Sequence, residues 1–108
     1  MKISVSNIAW HNDPKKINSF FEFISNLGCN GVELAPSAIW SEPIDTTRQD
    51  RDSLKKKNKN FNLKFLGFHS LLYSKPKLKL FENSLLRKET KNYLFNLINV
   101  CSDLEGKN

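Results

Sequence analysis

Apolar positions along the chain switch between two periods. Ile3 and Val5 alternate with Ser4 and Ser6, a spacing of two that predicts a strand over residues 2–10. Ile17, Phe20, Phe21, Ile24 and Leu27 recur at three and four residues, which is one face of a helix. Asp13 and Pro14 suit its start, and Gly28 supplies a left-handed stop. In Gly31-Val32-Glu33-Leu34-Ala35 the neighbours of a single carboxylate are apolar, as in a parallel strand covered by helices. Pro36 cannot donate to a ladder and ends it.

A loop with Trp40 and Pro43 leads to a polar helix over residues 47–57, with Leu54 almost its only apolar residue. Asparagines between 58 and 62 predict a turn, because they tolerate a left-handed backbone. Leu63, Phe65, Leu66 and Phe68 predict a third strand ending at His69-Ser70. The connector over 71–81 is apolar enough to fold onto another part of the molecule. Asn83 or Ser84 caps a last helix, whose stripe is Leu86, Tyr93, Leu94, Leu97, Ile98, Cys101 and Leu104, and Gly106 stops it.

The strands centre near Val5, Glu33 and Phe65, about thirty residues apart, the length of a βα unit. No hairpin signal joins them, so the strands are parallel and their crossovers right-handed. The prediction is an α/β chain, βαβαβα, forming one domain over residues 1–108. Such a sheet has two open edges, through which self-association is expected.

The 108 residues fit a single domain, and eight Phe supply much of a modest apolar fraction. No membrane span is expected, and the polar turn at Asn7 reads as the start of a cytoplasmic protein. Cys29 and Cys101 lack partners at metal-binding spacing and read as ordinary thiols. The net charge of +6 opens the question of nucleic acid. Lys55-Lys56-Lys57 and Lys75, Lys77 and Lys79 carry little aromatic interleaving, so solvated surface is the simpler reading and nucleic acid is not expected.

Three stretches stand out together: Ile3 to Trp10, then Gly31 to Pro36 with Ile39-Trp40, then Gly67-Phe68-His69-Ser70-Leu71-Leu72-Tyr73. In that order they resemble the N-terminal part of sugar phosphate isomerase/epimerase proteins, the xylose isomerase-like TIM barrels. The resemblance implies the first three units of a (β/α)8 barrel, truncated after the third, with its site at the carboxyl ends of the strands. It implies a sugar or sugar-phosphate substrate and proton transfer next to a carbonyl. A divalent metal (Mn, Mg, Co or Zn) assists in that family, held mainly by residues of later strands, so this portion is expected to be incomplete. The alternatives are a non-catalytic fragment and the endonuclease branch of the superfamily, which cuts DNA at abasic sites. It uses a zinc-binding His at the end of the third strand, a place comparable to His69.

Five residues are candidates for substrate binding. His69 either polarises a sugar oxygen, or binds metal as neutral imidazole, or is hydrogen-bonded for structure. Glu33 either binds a sugar hydroxyl, acts as a base, or pairs with a cation from another strand. Trp10 and Trp40 follow strands and either stack on a sugar ring or pack loops. Asn7 makes a polar contact either with the barrel interior or with substrate. His11 sits beside a cap and reads as exposed.

Overall fold

The computed structural model describes residues 2–7, 14–72, 74–79 and 83–105. Three strands, β1 (Ser4–Ser6), β2 (Gly31–Leu34) and β3 (Lys64–Phe68), alternate with three helices, α1 (Ile17–Asn26), α2 (Arg48–Asn60) and α3 (Ser84–Glu105). The sheet is parallel throughout, in the order β1-β2-β3. The chain steps across the sheet in one direction, so right-handed crossovers place every helix on the same face. The core records this. Phe20, Phe21 and Ile24 of α1, Leu54 of α2, and Val100 and Leu104 of α3 form one cluster with Val32, Leu34 and Phe65 of the sheet. The other face carries the exposed side chains of Ser4, Glu33, Lys64 and Leu66.

The parallel βα reading holds, and several boundaries move. β1 ends at Ser6. The expected continuation to Trp10, and the Asp13 cap, lie in residues 8–13, outside those described. A 3-10 turn (Pro14–Lys16) precedes α1, so the α-helix begins at Ile17. Helix α2 runs three residues past the expected end and buries Asn58 as well as Leu54. Its start is a capping box: Thr47 accepts from the Asp50 backbone N–H at 3.1 Å, and the Asp50 carboxylate accepts from the Thr47 N–H at 2.9 Å. Asn62 adopts the left-handed backbone expected of that turn, with φ 56°.

Helix α3 buries Tyr93, Leu97 and Leu104 of the predicted stripe and half-buries Leu86, Leu94 and Cys101, but leaves Ile98 outside it. Thr90, Tyr93, Leu97, Val100 and Leu104 face the core, whereas Ile98 is 58% exposed. Spacings of three and four fix that face, and Thr90 joins it because its hydroxyl donates back to the Leu86 carbonyl at 2.7 Å. Asn83 caps the helix, its side-chain oxygen accepting from the Leu86 N–H at 2.9 Å. Arg51 of α2 pairs with Asp103 of α3. The connector before α3 is anchored by Lys75, whose ammonium reaches Glu42 at 2.8 Å and lies 5.8 Å from the centre of the Tyr93 ring.

The β2–β3 ladder contains one irregularity. Val32 pairs with Phe65, but Glu33 pairs with Gly67 and Leu34 with Phe68. Leu66 is therefore an extra residue in β3, a bulge. Gly67 absorbs it with φ 151°, a backbone that side chains resist. Phe65 and Phe68, three apart, thus both face the helices and meet edge to face at 5.5 Å.

Candidate functional site at the carboxyl ends of the strands

The bulge sets the direction of His69. Strict alternation from Phe65 would send residue 69 toward the helices. The extra residue reverses the phase, so His69 shares the open face with Glu33. The His69 backbone N–H donates to the Leu34 carbonyl at 3.0 Å and carries the β2–β3 ladder one step past the strand.

On that face the imidazole reaches over β2. Its Nε2 is hydrogen-bonded to the hydroxyl of Ser6 at the end of β1. Its Nδ1 lies 3.0 Å from the hydroxyl of Ser70, which has a left-handed backbone at φ 52°. The two contacts are linked through the tautomer: a proton on Nδ1 makes Ser70 the acceptor and leaves Nε2 to accept from Ser6. Glu33 is registered directly between Ser6 and Gly67, and its carboxylate is exposed. One residue from each strand thus converges at one rim: a hydroxyl, a carboxylate and an imidazole.

Asn7 takes a different place from the rim. It is only 2% exposed, and its amide pairs with the main chain of Ala35. The Ala35 N–H donates to Oδ1 at 2.7 Å, and Nδ2 donates to the Ala35 carbonyl at 3.4 Å. The side chain imitates a further rung of the β1–β2 ladder and holds the ends of the two strands together. Trp40 is half-buried and packs against the core cluster. Trp10 and His11 lie outside the described residues.

Ser6 is not among the candidates that the sequence suggests. A signal for it exists: it closes the Ser4–Ser6 alternation on the face opposite Val5, in register with Glu33. A divalent metal fits this rim poorly. Both ring nitrogens of His69 are engaged by serines, and the described residues contain no group of three or more His, Cys, Asp or Glu side chains able to hold an ion. Among the described residues no helix is long and apolar enough to cross a membrane. Comparison with family models, with curated proteins and with solved structures finds no match for this chain.

Proposed function

We propose that this chain is the opening arc of a TIM barrel and that its rim binds a sugar or sugar phosphate, in the manner of an isomerase or epimerase. The observation that carries the reading is the convergence of Ser6, Glu33 and His69 at the carboxyl ends of three consecutive parallel strands. Ligands of parallel α/β folds bind at that end. Helices on one face only, with the opposite face uncovered, also suit an arc of a closed ring.

In this reading the Glu33 carboxylate accepts hydrogen bonds from sugar hydroxyls. A substrate oxygen takes the place of Ser6 at Nε2 of His69, with Ser70 holding the ring. The reaction class is proton transfer next to a carbonyl, and neither Glu33 nor His69 is assigned as the proton carrier. The rim's described residues offer no donor set through which a metal would act. The abasic-site alternative draws no support from the lysines that line the opposite, amino ends of the strands, far from His69.

The test combines saturable binding with hydrogen exchange. A panel of ketoses and their phosphates is titrated into the isotopically labelled chain, and the His69 ring resonances are followed. The same panel is incubated in heavy water, with and without Mn²⁺. Shifts confined to the rim, with deuterium entering beside the carbonyl, are expected. The absence of both with every sugar would overturn the reading.

A further inference from the structure

At the amino ends of the strands, opposite the rim, lies a groove of about 900 Å³. Lys2 precedes β1, Lys64 opens β3, and Lys55 and Lys59 sit one turn apart on α2; all four line this groove. None of the four forms an ion pair with a described residue. Among the described residues Glu105 is the only acidic side chain in the lining. Asn58, on the same helix, lines the groove too. It is 4% exposed, and its amide nitrogen and oxygen have no hydrogen-bond partner among the described residues.

Two ordinary explanations fall short. Cations near helix C-termini offset the macrodipole, and Lys59 in the last turn of α2 fits that role. Yet α1 and α3 have no basic residue in their last turns, and Lys2 and Lys64 belong to the strand side. A solvated surface run would intersperse acids. Here Lys55 and Lys59 stand four apart with like charge, an arrangement that disfavours the helix.

We infer that this groove is a binding site for a small ligand carrying several phosphates. The lysines meet the charge from two sides. The groove's volume is in the range of small-molecule sites rather than that of a polymer track. This site stands whatever the rim binds.

Titration calorimetry with sodium tripolyphosphate at low ionic strength tests it. The expectation is one saturable site. Lys55→Glu combined with Lys64→Glu should weaken it by more than about tenfold, since two attractive charges become repulsive. The same change in net charge on exposed α3, Lys88→Glu with Lys91→Glu, should alter it by less than about twofold once salt screens distant charges. Equal loss in both lysine pairs would reduce the effect to net charge and overturn the site. Failure of tripolyphosphate to bind would overturn it as well. So would a thymidine oligonucleotide binding with a steep salt dependence where tripolyphosphate does not, because the groove would then serve a polymer.

Discussion

The imidazole of His69 is hydrogen-bonded to the hydroxyl of Ser6, although their strands are not neighbours. The contact passes over the central strand at the position of Glu33. Removing Ser6 should therefore alter the rim more than the fold. For Ser6→Ala, sugar binding should strengthen by up to about severalfold, because the substrate oxygen no longer competes with the Ser6 hydroxyl for Nε2 of His69, with a change in folding stability near ~1 kcal/mol or less, the usual net worth of one hydrogen bond. His69→Gln and Glu33→Gln should each weaken binding by about tenfold, as loss of a strong polar contact does. Titration of the three variants beside urea melts separates the two effects.

Gly67 is the residue that lets the bulge exist. Its φ of 151° is costly for any side chain, while the space around a Cβ there is open. Gly67→Val should cost about 1–3 kcal/mol through backbone strain rather than through a clash. The shift is read as a lower urea midpoint with unchanged slope. An unchanged midpoint would mean that β3 takes another register at no cost.

Asn7 closes the ladder between β1 and β2 with its side chain. Asn7→Leu keeps the volume and leaves the Ala35 N–H and carbonyl without those partners. The expected loss is about 1–3 kcal/mol, the desolvation cost of an orphaned polar group. Amide hydrogen exchange should quicken first at Ala35.

Alkaline pH should destabilise the chain. Burial pushes the Cys101 thiol above its usual 9.0 and the Tyr93 phenol above its usual 10.0. The hydrogen bond to Glu42 raises the Lys75 ammonium above its usual 10.5. In all three cases the folded state holds the proton more tightly than the unfolded state does. Their contribution is thus complete below the unfolded values and is lost as pH rises through the raised ones. The melting temperature should be flat up to about pH 8.5 and fall beyond it. Cys101→Ala should delay the onset of that fall.

Among the described residues four large apolar side chains stand exposed around the third unit: Leu66 at 45%, Leu85 at 67%, Phe95 at 62% and Ile98 at 58%. Strands β1 and β3 are the two edges of the sheet. The isolated chain should self-associate, giving a concentration-dependent sedimentation coefficient. Phe95→Ser combined with Ile98→Ser should shift it toward monomer. A sharp monomer peak for the unaltered chain at every concentration would contradict this.

The repeat of strand and helix is legible in the sequence because it is written in periods. Ile3 and Val5, the α1 face from Ile17 to Ile24, and the apolar run ending at Pro36 each announce their element. Glu33 and His69 are legible as the polar residues near strand ends. Their meeting on one face is not, because a period of two carried past Phe65 gives His69 the wrong direction. The glycine inside an apolar strand is the available signal of a bulge. Asn7 reads as a polar contact of undecided partner, since nothing in its neighbours says that its amide stands in for a peptide. Periodicity places Ile98 inward because an apolar residue on a long helix has several faces to choose from. Only the packing of Leu97 and Val100 selects one.

The slack residue in β3 has a bearing on how relatives of this chain are to be recognised. A homologue with one residue fewer between the phenylalanines at 65 and 68 would align well and still carry a histidine after its third strand. That histidine would point into the helical layer, away from any ligand. Counting residues within the strand, rather than finding the imidazole beyond it, separates chains that keep the rim from chains that have lost it.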